Sequence, residues 1–263
     1  MKLTTLLSIC LFGGFALSGS AFAAVLVNDG SYINQQWSTA TDIAWSSQTG
    51  TGGSAPSLSG GKLLLTMQGA TGGTTSVYRS GTTATDFILT TRVAIDQFPD
   101  ASGWGAYANF NGIQIANAKQ DDYLVAQLTA SQLRIASWPN GGAGTIIDIT
   151  TEVGKFYTWQ FQVSQVMGTG TGTVTIYRRE NDTDAWSLVG EDILMLNADF
   201  GDAISAATII HNGDNTQTQG ILRQEYFLAG VAAIPEPSTV ALLLFGSGAA
   251  LVWRARRRGA RAA

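Results

Sequence analysis

Cysteine is nearly absent from this 263-residue chain, and the single one, Cys10, falls among its first dozen residues. A disulfide framework is therefore excluded, as are the usual cysteine-containing zinc clusters. Histidine is just as scarce, with His211 alone. A histidine-dependent triad would rest on that one residue, and no Gly-x-Ser-x-Gly elbow accompanies it. Its neighbours Asn212, Gly213, Asp214 and Asn215 read as a polar loop, with His211 an ordinary hydrogen-bonded loop residue. Charged side chains make up only 13% of the sequence, against 31 glycines and many threonines. Short apolar runs set between turn residues complete the composition of a chain built from strands.

The two ends differ from what lies between them. Residues 1–23 combine a positive Lys2, an apolar stretch over 6–17 and the small-residue site Ala21-Phe22-Ala23. This is the pattern of a secretory signal peptide cut by signal peptidase, with the mature chain starting at Ala24. At the other end, Pro235-Glu236-Pro237 breaks regular structure, because proline fixes φ and lacks an N–H donor. Residues 240–253 then run for 14 positions without a charge, and Arg254, Arg256, Arg257, Arg258 and Arg261 follow. As a helix this run spans roughly 21 Å, short against a hydrocarbon core of about 30 Å. It is apolar all round, which excludes an amphipathic core helix. The arginines hold their side of the membrane as the cytoplasmic one.

Between the ends, residues 24–233 read as one all-β domain with no internal boundary or repeat. Setting aside Lys2 and the five tail arginines leaves 9 of 15 basic residues, and setting aside Glu236 leaves 18 of 19 acidic ones. The net charge of −9 argues against nucleic acid, anionic lipid or an acidic polysaccharide as a direct charge partner. Period-two alternation is clearest over 87–95, where Phe87, Leu89, Val93 and Ile95 oppose Thr90 and Arg92, with Asp96 next on that polar side. Over 157–163, Tyr157, Trp159, Phe161 and Val163 alternate with Thr158, Gln160 and Gln162. Asn111-Gly112 is placed as a hairpin turn, Thr129-Ala130-Ser131 as another, and residues 180–184 as a polar loop. Residues 193–200 are the one stretch assigned a helical turn. About a dozen short strands at this spacing describe an antiparallel β-sandwich.

The order of Pro-Glu-Pro, short apolar helix and arginine cluster closely resembles the PEP-CTERM sorting signal of Gram-negative bacteria. The resemblance covers residues 234–263 and rests on Pro235, Glu236, Pro237, Arg254, Arg256, Arg257 and Arg258. It implies an exosortase-type membrane protease as partner, transient anchoring in the inner membrane by a short transmembrane helix, and release to the cell surface or an exopolysaccharide matrix. A second resemblance covers about residues 58–228. The stretches GWGAYANFNGIQI, DDYLVAQLTASQLRIASW and GKFYTWQFQVSQ look like a concanavalin A-like or laminin G-like jelly roll. Such folds serve lectins, glucanases and plain adhesion modules, so the fold does not choose among them.

Candidate chemistry is thin. Glycoside hydrolysis needs two carboxylates flanking the bond. Glu180-Asn181-Asp182-Thr183-Asp184 resembles one glucanase signature, Glu-x-Asp-x-x-Glu, but Ala185 stands where its last acid belongs. The expectation is a solvated acidic turn, no catalytic residue and no enzyme. No metal site or cofactor is assigned. Calcium is left open through Asp121 and Asp122, or Asp214 with Asn212 and Asn215, although two adjacent acids do not make a site for an ion that takes 6–8 oxygens. Of six tryptophans in the domain, Trp159 and Trp186 read as core. Trp104 with Tyr107, and Trp138 beside Pro139, read as the ligand-binding aromatics. The reading is a non-enzymatic adhesion or carbohydrate-binding module. A jelly-roll glycoside hydrolase and a structural envelope protein without a small ligand are its alternatives. Mass spectrometry of the protein from its native host is expected to find a mature start at Ala24 and no peptide from residues 254–263; recovery of those arginines contradicts sorting by cleavage.

Overall fold

The computed structural model describes residues 27–28, 33–38, 46–49, 54–67, 73–82, 86–97, 110–117, 123–138, 144–166, 171–196, 203–212, 220–230 and 232–233. Residues Asn28–Ala233 form one compact unit; a second comprises Met1–Val27 and Ile234–Ala263, of which only Val27 is described. The signal segment, with Ala21, Ala23 and Ala24, and the tail helix expected over 240–253 thus lie outside the described residues. Among the described residues no helix is long and apolar enough to cross a membrane.

Every regular element described is a strand. In chain order they are β1 (Val27–Asn28), β2 (Ile33–Gln36), β3 (Ser46–Thr49), β4 (Ser57–Ser59), β5 (Lys62–Met67), β6 (Gly73–Thr82), β7 (Asp86–Gln97), β8 (Phe110–Asn117) and β9 (Tyr123–Leu128). There follow β10 (Gln132–Trp138), β11 (Thr145–Asp148), β12 (Tyr157–Val166), β13 (Thr171–Arg179), β14 (Ser187–Leu196), β15 (Ala203–Asn212), β16 (Gly220–Gly230) and β17 (Ala232–Ala233). An eight-stranded sheet runs β14-β13-β12-β7-β16-β5-β4, with β2 also paired to β16; a seven-stranded sheet runs β11-β10-β9-β8-β15-β6-β3. Strands β1 and β17 form a separate ladder. All pairings within the two large sheets are antiparallel. The all-β jelly-roll class expected from the sequence is the one present.

The alternation at 87–95 and 157–163 sets the core. Val93, Thr91, Leu89 and Phe87 stand opposite Tyr157, Trp159, Phe161 and Val163 in register. All eight side chains are buried on one face. Ile113, Leu124, Ala126, Leu128, Leu133 and Ile135 of the seven-stranded sheet join the same cluster, so the core is the layer between the sheets. Burial of each large side chain there contributes roughly 1.5–3 kcal/mol.

Polar side chains also sit in that layer, and Gln224 links them. Gln224 is fully buried, and its amide makes three bonds. Its Oε1 accepts from Trp37 Nε1 at 3.0 Å, and its Nε2 donates to Thr91 Oγ1 at 2.7 Å and to Thr208 Oγ1 at 2.8 Å. Thr208 belongs to β15, so this knot ties one sheet to the other. Just beyond it the β16–β7 ladder slips: Gln224 faces Val93, and the next partners are Tyr226 and Arg92. Glu225 is the extra residue of a β-bulge. One inserted residue reverses the side-chain alternation, so Gln224 and Phe227 both enter the core while Tyr226 turns to the outer face.

Three local expectations are corrected. Asn111-Gly112 is no turn: both residues lie within β8 and pair on two sides, Asn111 with Leu128 and Ile210, Gly112 with Gln127 and Ile209. Two ladders outweigh a turn-prone dipeptide. The helical turn expected from residue 193 is likewise absent, since Ile193–Leu196 ends β14, paired to β13; residues 197–200 lie outside the described set. His211 lies in strand rather than loop, opposite Thr74 and Phe110. The turn at 129–131 and the loop at 180–184 are as expected. Gln224→Leu removes the partner of the Trp37 indole N–H and of two threonine hydroxyls, of which Thr91 Oγ1 keeps its bond to the Tyr226 carbonyl, and is expected to lower unfolding free energy by about 2–4 kcal/mol, read from urea unfolding; a loss of less than about 1 kcal/mol contradicts the knot.

Candidate functional site

The face of the eight-stranded sheet turned away from the core is the candidate site. Strict alternation sends Arg92 and Asp96 of β7, Thr158, Gln160 and Gln162 of β12, and Arg179 of β13 to it. Arg223 of β16 joins them, and the bulge adds Tyr226. Phe156 stands just before β12 on the same side, within 5.4, 5.6 and 5.0 Å of the cationic groups of Lys62, Arg92 and Arg223.

These side chains form a continuous network. Arg92 donates from Nε to Glu225 Oε2 at 2.9 Å, and from Nη1 to Thr158 Oγ1 at 3.0 Å and to the Glu180 carbonyl at 2.8 Å. Glu225 also pairs with Lys62 at 3.1 Å. Asp182 Oδ1 accepts from Tyr226 Oη at 2.8 Å, Thr158 Oγ1 at 2.9 Å and Arg179 Nη2 at 3.3 Å. Arg223 grips Asp96 through two parallel bonds, at 2.7 and 2.6 Å. Lys155 bridges Glu152 and Glu180 at 2.9 and 3.0 Å, and these bonds raise its pKa. Arg179 lies 4.3 Å from the centre of the partly exposed Trp186 ring. Further along the face Gln162 donates to Gln160, and Gln160 to Thr90, in a row of amides and a hydroxyl.

Titration follows from these contacts. Burial pushes the Asp182 carboxyl up, but hydrogen bonds from Tyr226 and Thr158 and the charges of Arg179 and Arg92 outweigh it and hold it below the usual carboxylate range. Burial pushes the Tyr226 phenol up, and the Asp182 hydrogen bond and charge add to that; Thr158 and Arg179 oppose it. A carboxyl held low is an acceptor, not a proton donor near neutral pH.

The sequence-predicted site residues fall elsewhere. Trp104 and Tyr107 lie outside the described residues. Trp138 ends β10 opposite Tyr123, in the other sheet, and its side chain is not among those described. Pro235, Glu236, Pro237, Arg254, Arg256, Arg257 and Arg258 also lie outside, as do Asp121, Asp122, Asp214 and Asn215, considered for calcium. Among the described residues no group of three or more His, Cys, Asp or Glu is placed to hold a metal ion. Trp159 is core as expected, but Trp186 is not: it precedes β14 and packs against Arg179. Asp182 is no free solvated acid either, being tied down by three donors. Tyr226 and Phe156 went unmarked in the sequence, where only the alternation placing Arg92 and Thr158 on a polar face pointed here.

Asp182→Asn is expected to cost about 1 kcal/mol at pH 7, small because the carboxylate is half exposed. A carboxyl lowered by folding stabilises the protein above its unfolded pKa and loses that effect as pH falls through the folded value. The gap between wild type and variant should therefore close in acid, as read from urea unfolding at pH 7 and below pH 3; a gap independent of pH contradicts the assignment.

Comparison with known proteins adds fold and address. No curated protein matches the sequence. Among solved structures, one from work on endo-acting O-glycanases of the human gut microbiota that initiate mucin breakdown is 12% identical, with 77% of this chain and 99% of that chain aligned at a TM-score of 0.50. The Lotus tetragonolobus seed lectin aligns at 9% identity over 78% of this chain and 100% of its own, with a TM-score of 0.48. The carbohydrate recognition domain of Emp46p aligns at 8% over 79% and 98%, with a TM-score of 0.48. At such identities the likeness is one of fold. Over residues 233–258 the sequence matches the PEP-CTERM protein-sorting motif, so this chain carries that sorting signal behind a jelly-roll sandwich.

Proposed function

We propose that this chain is exported, is recognised through residues 233–258 by an exosortase-type membrane protease, and serves at the cell surface or in an extracellular matrix as a carbohydrate-binding module that does not turn its ligand over. The observation that carries the binding reading is the outer face of the eight-stranded sheet. There amides, hydroxyls, guanidinium groups and carboxylates are interlinked beside the rings of Phe156, Trp186 and Tyr226. Sugars need this pairing of planar apolar surface with donors and acceptors held in place.

Two features support binding without catalysis. Asp96, Glu180, Asp182 and Glu225 are each engaged by a cation of the same face. Asp182 is held ionised, the opposite of what a general acid requires. The sorting motif supplies the address.

A glycan array probed with the full chain is expected to give hits among neutral polysaccharides, weakened about tenfold by Arg92→Ala through loss of a charge-assisted contact. Trp138→Ala on the same array tests the aromatic singled out by sequence. An array without hits contradicts the binding reading, and release of reducing ends from a bound glycan contradicts the non-enzymatic one.

A further inference from the structure

A second site lies at the mouth of the sandwich, away from the outer face. There Asp148, Ile149 and Thr150 face Arg178, Ser187, Leu188 and Val189 across an open groove of about 400 Å3. That volume suits a small ligand such as one or two sugar units. Its walls are fixed by backbone bonds: Ile149 N–H donates to the Ser131 carbonyl at 2.8 Å and Thr151 N–H to that of Ala130 at 2.9 Å. Gly190 lets the sheet edges close together, since a Cβ there would come within 2.7 Å of Ile147 Cδ1.

Arg178 dominates the groove. It pairs with Trp159 in register and so projects from the core side of β13. Its guanidinium sits 4.8 Å from the Tyr157 ring centre and 5.5 Å from that of Trp159, and Nη1 donates to the Thr150 carbonyl at 2.7 Å. Lys62, Arg92, Lys155, Arg179 and Arg223 each hold a carboxylate. Among the described residues none pairs with Arg178. Here a fork of five donors is held rigid by stacking, with one donor used, at the edge of an open groove.

We propose that this groove takes one acidic sugar residue, its carboxylate on the Arg178 fork. Ser187, in register with Arg178 on the same side of the sheet, takes a sugar hydroxyl. The partly buried Ile149 and Val189 cover the apolar face of the ring. The domain's net negative charge disfavours a polyanion at long range, so recognition here is a local pairing made after contact. The site neither uses the outer face nor depends on its ligand.

Calorimetry of the full chain with trigalacturonate and with neutral galactotriose tests this. The acidic trimer is expected to bind at least about tenfold more tightly, and Arg178→Gln to remove that difference. Because Arg178 packs on core rings, Ser187→Asp provides a second variant: it places a carboxylate beside the Arg178 guanidinium and is expected to weaken the acidic trimer about tenfold. Equal binding of the two trimers overturns the proposal, as does indifference to Ser187→Asp. Tetraglutamate binding as tightly as the acidic trimer also overturns it, in favour of a peptide ligand. Loss of acidic-trimer binding in Arg92→Ala but not in Arg178→Gln moves the ligand to the outer face and overturns the groove, while leaving the outer-face reading in place.

Discussion

The fold depends on one buried amide. Gln224 has no access to water, and its three hydrogen bonds reach Trp37, Thr91 and Thr208. An apolar core tolerates sliding of one sheet over the other, because hydrophobic contact is non-directional. A buried amide does not, since any slip leaves polar groups dry and unpaired. The knot therefore fixes how β15 of one sheet lies over β7 and β16 of the other.

The same residue connects core to surface. Gln224 faces inward, and Phe227 must face inward too, which an even alternation forbids. The bulge at Glu225 resolves this. It leaves Glu225 free to bind Lys62 and Arg92, and sends Tyr226 out to Asp182. Core and candidate site thus share one irregularity in β16. Around it the outer face is charge-balanced rather than basic or acidic, each carboxylate matched by a neighbouring cation. Such a surface presents donors and acceptors held in place without a net field.

Sequence legibility follows the same division. Where one face is apolar and the other polar, as at 87–95 and 157–163, period two gave strand and buried face correctly, and with them the polar face that bears Arg92, Thr158 and Gln160, while the register between the two strands comes from the structure. The bulge was not legible: Leu222 to Phe227 alternates equally well with Tyr226 in or out, and only the tertiary demand for Phe227 inside decides. Asn111-Gly112 misled because turn propensity is local while its two flanking ladders come from β9 and β15. Trp186 misled because a tryptophan near a strand reads as core until its neighbour Arg179 is seen lying against it. Asp182 looked like a free loop acid because Thr158 and Tyr226, its donors, are 24 and 44 residues away.

The Trp37 indole proton reports on the amide knot directly. It is bonded to Gln224 Oε1 at the centre of the protein, so hydrogen exchange followed by NMR should find it among the slowest protons, exchanging only with global unfolding. An indole proton that exchanges rapidly while the amides of β7 and β12 stay protected would contradict the account, because the sheets would then be held together without the group on which core, bulge and outer face are argued to depend.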